Sequence, residues 1–186
     1  MNMNEQMILT GRQEQIRDLD ILPRWDRSLV DYHKYHQFVG QSGIRYEMTM
    51  QATRGCPYRC FYCDVQHLTP MHRRRSVESV FDEVKYLHDM GVRKSEFIDD
   101  AFNVNVKEFK AFFRKVIDSK MDMSFYFQSG LRGDLLDEEA IDLMVEGGTK
   151  SMNLSLESAW ASIFASSDCV RISTTSSVHI RKLLLD

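Results

Sequence analysis

The sequence predicts an α/β fold built on a parallel sheet, and two observations predict it. Short apolar strands alternate with amphipathic helices of about 12 residues, the pattern of βαβ units with right-handed crossovers. Each strand also runs out into polar or sulfur-bearing residues, as expected where chemistry gathers at the C-terminal ends of parallel strands.

Residues 1–45 have no strong period. DLDILPRWDRSLVDYHKY is acidic, aromatic and interrupted by Pro23, and reads as a linker-like segment that packs on a neighbour. YEMTMQATRG is a strand entering a glycine turn, and TRGCPYRCFYC follows at once as a loop. Ser76 can cap a helix whose buried face is Val77, Val80, Phe81, Val84 and Leu87, at offsets of three and four. Glu78 lies in its first turn, where a carboxylate suits the helix dipole, and Gly91 can stop it. SEFIDD is a short strand with an acidic end. Val106, Phe109, Phe113, Val116 and Ile117 mark a second amphipathic helix. MSFYFQSG is the next strand. Asp137 can cap a third helix, with Leu136 and Ile141 placed as a hydrophobic staple and Gly147–Gly148 as its stop. SMNLSLES is the fourth strand. From about residue 159 the chain turns rich in Ser and Thr, and the alternation lapses into an atypical tail, for which disorder is one expectation.

Composition sets outer limits. The chain has 186 residues, 43% of them hydrophobic, enough for one real core. A net charge of -3 speaks against a general nucleic-acid-binding surface. No apolar run approaches the roughly 18 residues that span a bilayer. The polar N-terminus lacks the apolar centre of a secretory signal. The expected location is the cytoplasm, where thiols stay reduced and clustered cysteines more often hold metal.

Three of the four cysteines, Cys56, Cys60 and Cys63, fall within eight positions with C-x3-C-x2-C spacing. Disulfides suit this poorly, because three is odd and the pairs would close very tight loops. Three thiolates can hold three irons of a 4Fe–4S cluster and leave the fourth iron open. The alternative is a closed zinc site with His67 as fourth ligand. Cys169, far away in the tail, reads as a lone reduced cysteine. The other strand ends carry Asp99 and Asp100, then Gln128, Ser129 and Arg132, then Glu157. Each alone could be a turn residue or a surface ion pair; their common placement suggests one site.

CPYRCFYC resembles the CxxxCxφC signature of radical SAM enzymes, with Tyr62 as the aromatic φ. RRRSVESVFDEVKYL, FIDDAFN and SLES resemble, more narrowly, members of that family that carry a cobalamin-binding domain. The resemblance covers about residues 46–158. It implies a partial TIM-like (β/α) barrel of the radical SAM type with about four βα units, the C-terminal part missing or altered. It implies that Cys56, Cys60 and Cys63 ligate a 4Fe–4S cluster whose open iron chelates S-adenosylmethionine. Reductive cleavage would then give a 5′-deoxyadenosyl radical that abstracts hydrogen from a substrate the sequence does not name. The main chain near Tyr62 would lie by the adenine. Asp99–Asp100 would accept from the methionine ammonium, Arg132 would pair with the methionine carboxylate, and Glu157 would bind ribose hydroxyls. A reductant such as flavodoxin or ferredoxin is the implied partner, and cobalamin a cofactor of the full-length parent.

Only four strands are legible where the family has six units. The expectation is therefore a truncated or frame-shifted product, with the tail after about residue 159 unrelated to the parent. Alternatives are a non-catalytic iron–sulfur or zinc-binding protein and an inactive remnant.

Overall fold

The computed structural model describes residues 2–3, 6–7, 11, 13–35, 44–60 and 62–154. Two short strands, β1 (Asn2–Met3) and β2 (Gln6–Met7), pair antiparallel. Three single 3-10 turns follow, at Leu19–Ile21, Arg27–Leu29 and Tyr32–Tyr35. The remaining elements are β3 (Met48–Met50), β4 (Thr53–Arg54), α1 (Val65–Leu68), β5 (Arg73–Arg74), α2 (Val77–Asp89) and β6 (Lys94–Phe97). Then come α3 (Val106–Ser119), β7 (Ser124–Leu131), α4 (Glu138–Glu146) and β8 (Thr149–Leu154).

The main sheet has the order β3-β6-β7-β8, and every neighbour is parallel. Strand order follows chain order without reversal. A doubly wound sheet reverses at a switch point; a (β/α) barrel does not. The α/β class and the four expected parallel strands are all present, as a partial barrel wall.

The helices start where the sequence places their caps. Ser76 Oγ accepts from the Ser79 N–H at 3.1 Å, and Asp137 Oδ1 accepts from the Ala140 N–H at 2.9 Å. Asn105, which the periodicity did not single out, caps α3 through the Glu108 N–H. The α4 helix ends at Gly147, and Gly148 turns back at φ +89, where a Cβ would run into the Met123 carbonyl. Glycine is required there.

Among the described residues, the long helices α2, α3 and α4 pack on one face of the sheet. Phe97 of β6 stacks on Phe127 of β7, with centroids 5.2 Å apart and planes 5° from parallel. Phe112 of α3 meets Phe97 edge-on at 5.6 Å. Val80, Val84 and Leu87 of α2 and Ala140, Ile141 and Met144 of α4 complete this core. The opposite face carries a register row of Thr49, Glu96, Tyr126 and Ser151. Such a face lines the interior when a sheet of this order curls. Burial, with the Glu47 carboxyl beside it, pushes the Glu96 carboxyl upward.

The segment before β3 packs as the sequence suggests, and it packs on the sheet edge. Arg27 Nη2 donates to the Thr49 carbonyl at 2.6 Å, and Arg75 Nη1 donates to the Gln51 carbonyl at 3.2 Å. Both guanidinium groups share Glu83, which is 5% exposed. The outward carbonyls of an edge strand are thereby occupied, which guards against pairing with another chain. Among the described residues no helix is long and apolar enough to cross a membrane.

Phe97→Ala removes the ring that α3, β6 and β7 share. The expected loss is about 3–5 kcal/mol of folding stability, read as a lower urea midpoint. A loss under about 1 kcal/mol would show that this ring is not central to the core.

Candidate functional site

The expected first strand is two pieces. β3 ends at Met50, and β4 pairs antiparallel with β5, Thr53 opposite Arg74 and Arg54 opposite Arg73. This small ladder closes the base of the loop that holds Cys56, Cys60 and Cys63. Gly55 makes the turn into it at φ +77, and a Cβ there would lie 2.6 Å from the Met71 carbonyl oxygen and 2.7 Å from that of Thr69. The loop is further tied by the Gln66 side-chain amide to the Cys56 carbonyl and by the Cys63 N–H to the Cys60 carbonyl at 2.9 Å.

Arg73–Arg74–Arg75 rivets this base to its surroundings. Arg73 donates to the Ile16 carbonyl at 2.7 Å. Arg74 pairs with Glu108 of α3 at 2.6 Å and donates to the Phe102 carbonyl at 2.8 Å. Arg75 reaches Glu83 of α2. In the sequence these arginines stand out only within RRRSVESVFDEVKYL, as part of a resemblance. A two-residue strand has no period to reveal it.

Asp99, at the end of β6, is 1% exposed. Its Oδ1 accepts from the Ala52 N–H at 3.0 Å, from the Thr53 N–H and from the Thr53 hydroxyl at 2.7 Å. Asp99 therefore holds the stem of the cysteine loop. Burial pushes its carboxyl up to about 7, against the bonds from Thr53 and Ala52 and the charge of Arg74. Asp100 is exposed and accepts from the Gly55 N–H at 3.0 Å.

The three cysteines form no disulfide and are each partly exposed. Burial pushes the Cys56 thiol up; the Tyr58 N–H and Arg132 oppose this, and Cys63 and Asp100 add to it. Among the described residues no three of His, Cys, Asp or Glu converge on a point that would suit one metal ion. His67 pairs instead with Asp64 at 2.7 Å and is largely exposed. A cluster gives each thiolate its own iron and needs no such convergence, so three cysteines on one short loop fit it. A bound metal would also hold its ligands as thiolates, for Cys56 against the effect of burial.

Arg132, past the end of β7, sits over the Tyr58 ring of the cysteine loop, 3.6 Å from its centroid. It lies close enough to Cys56 and Cys60 to act on both electrostatically. Asp134 grips the guanidinium at two points, from Nε at 3.0 Å and from Nη2 at 2.6 Å. Tyr62 is 52% exposed. The fold thus brings Cys56, Cys60, Asp100 and Arg132 together and turns Asp99 inward. Glu157 and Cys169 lie outside the described residues. Gln128 donates to the Ser151 hydroxyl at 2.9 Å, a bond between neighbouring strands.

The radical SAM superfamily profile matches residues 50–163. An uncharacterized methyltransferase of Pyrococcus horikoshii is 29% identical over 146 residues, which is 77% of this chain and 30% of the relative. The anaerobic magnesium-protoporphyrin IX monomethyl ester cyclase of Synechocystis is 26% identical over 155 residues, covering 83% of this chain and 30% of the cyclase. The radical S-adenosylmethionine methyltransferase TsrM of Kitasatospora setae, solved with tryptophan substrate and a SAM analogue, superposes with a TM-score of 0.63 at 19% identity. That match covers 83% of this chain and 29% of TsrM. A TsrM structure with cobalamin and a [4Fe-4S] cluster gives a TM-score of 0.58, also at 19% identity, over 73% of this chain and 26% of TsrM. At that identity the likeness speaks for the fold. The chain spans less than a third of the length of these relatives.

Two outcomes are expected from the loop and its stem. Gly55→Ala must give up φ +77 or displace two carbonyls. It should cost on the order of 2 kcal/mol and lower iron incorporation on reconstitution; unchanged iron content would show that the loop tolerates the new turn. Asp99 has a folded-state pKa raised from 3.8 to about 7. The folded state then binds more protons than the unfolded one between those values. The stability this group contributes is complete below the unfolded value and is lost as pH rises through about 7. Asp99→Asn keeps an acceptor oxygen without a titrating proton. The urea midpoint of the wild type should fall relative to that of Asp99→Asn between about pH 4 and pH 7 and level off above. A pH-independent difference would show a carboxyl ionised throughout.

Proposed function

The chain belongs to the radical SAM superfamily, and from that premise we propose that it binds a 4Fe–4S cluster through Cys56, Cys60 and Cys63 and S-adenosylmethionine beside it. The observation that carries this reading is the tied cysteine loop with Asp100 and Arg132 gathered around it. The bound cluster would supply the electron that cleaves the sulfonium reductively.

The residues of the chain bind and orient. Arg132 offers a planar cation, suited to the methionine carboxylate through charge-assisted hydrogen bonds. Asp100, exposed and already fixed to Gly55, is better placed than buried Asp99 to accept from the methionine ammonium. The main chain near Tyr62 is assigned to the adenine and Glu157 to ribose hydroxyls. The cluster-loop stem, held by Asp99, keeps these groups in register with the thiols.

The reaction class favoured by the relatives is methyl transfer, since the P. horikoshii relative is named a methyltransferase and TsrM is one with cobalamin bound. Cobalamin is proposed as a cofactor of a longer parent, with residues 46–158 as part of its radical SAM core. A flavodoxin- or ferredoxin-class protein would be the electron donor. The substrate is left at the level of a hydrogen donor or methyl acceptor.

Anaerobic reconstitution tests the reading. About four iron and four sulfide per chain are expected in the wild type and in Cys169→Ala. Each of Cys56→Ala, Cys60→Ala and Cys63→Ala should lose most of that content. With dithionite and S-adenosylmethionine, the reconstituted chain should release 5′-deoxyadenosine, measured by chromatography. Full iron and sulfide in a triple cysteine variant would overturn the assignment.

A further inference from the structure

The loop from Asp99 to Asn103 touches both halves of the site. Its first two side chains hold the stem of the cysteine loop, as described above. Its last, Asn103, is 1% exposed and faces the other way. Asn103 Nδ2 donates to the Arg132 carbonyl at 2.8 Å, and its Oδ1 accepts from the Arg132 N–H at 3.0 Å. One amide side chain thus satisfies both backbone groups of one residue, a clasp that fixes where Arg132 leaves β7.

That clasp falls at an irregular place. The pairing of β7 with β8 shifts register between Phe127 and Leu131, and Gly130 lies at φ +101. The ladder resumes at Leu131–Leu154, its last pair, and Arg132 lies just beyond it, so strand pairing does not by itself set that residue's position. Asn103 supplies the missing constraint, and does so from the loop that also holds the cysteine stem.

We propose that Asn103 is a positioning residue for Arg132: through its two hydrogen bonds to the Arg132 backbone it sets the distance between that guanidinium and the cysteine loop, and so the affinity for the carboxylate of S-adenosylmethionine. The proposal rests on the reading of Arg132 given under the proposed function. Only an amide side chain presents a donor and an acceptor side by side in this way. Aspartate keeps the acceptor and loses the donor; alanine loses both.

The test is a double-mutant cycle on the reconstituted chain, with S-adenosylmethionine affinity measured by equilibrium dialysis and the fold checked by circular dichroism and melting. Asn103→Ala should weaken binding on the order of 10-fold, as two lost hydrogen bonds imply. Asn103→Asp should fall between it and wild type. In an Arg132→Ala background, Asn103→Ala should add less than about 2-fold, because its effect passes through Arg132. Amide hydrogen exchange gives a second readout without ligand. The Arg132 N–H should be protected in wild type and in Asn103→Asp and lose protection in Asn103→Ala. Full additivity in the cycle, or unchanged affinity and protection in Asn103→Ala, would overturn the proposal. If Arg132→Ala leaves affinity unchanged while exchange still follows Asn103, the clasp stands and the carboxylate role of Arg132 fails.

Discussion

Three donors on one buried oxygen hold this site together. Asp99 Oδ1 accepts from Ala52, from Thr53 and from the Thr53 hydroxyl, at the point where β3 gives way to the cysteine loop. A parallel strand pair ends when its ladder ends, and the backbone beyond needs new partners. Asp99 and Asp100 provide them from the end of the neighbouring strand. Their cost is burial of a carboxyl, which shows in the upward push on its titration. The gain is a loop stem whose place is set by β6 and not by the loop itself.

The same logic recurs around the sheet. Just past the last pair of β7 and β8, Asn103 takes up the Arg132 backbone. Where β3 lies at the sheet edge, Arg27 and Arg75 take up its carbonyls, with Glu83 compensating their charge. Breaking a buried ion pair from one side leaves an uncompensated charge, so these contacts are costly to lose even where their net gain is small. The apolar core behind them is unspecific by comparison. Phenylalanines from β6, β7 and α3 meet in stacked and edge-on geometries and carry the helices on one face. The polar contacts on the rim then decide where functional groups stand.

A site built this way has parts from several strand ends and a small number of tethers. The chain spans less than a third of the length of the relatives it matches, and these tethers hold one share of the proposed site. That share includes the cysteines and a cation beside them. Arg132 stands over Tyr58, a residue between two of the cysteines, so the cation and the cysteine loop are in contact before any ligand arrives. Preorganisation of this kind is what lets binding groups act on a small cofactor without first paying for their own ordering.

The sequence by itself determined the long helices, the four parallel strands and the spacing of the cysteines. Helix caps at Ser76 and Asp137, the buried stripe of α2, the Gly147–Gly148 stop and the three-cysteine spacing are local patterns, and local patterns are written in neighbouring residues. Only the tertiary structure decided which polar residues serve the fold and which face outward. Asp99 and Asp100 are adjacent and chemically alike, yet one is buried on Ala52 and Thr53 while the other is exposed beside Gly55. Successive residues at a strand end point to opposite sides, and sequence spacing alone does not say which side holds the partner. Asn103, the Arg73–Arg75 rivet and the two-residue strands β4 and β5 were illegible for the same reason. Their partners lie tens of residues away in the chain, and no period announces a contact made by one side chain across the top of a sheet.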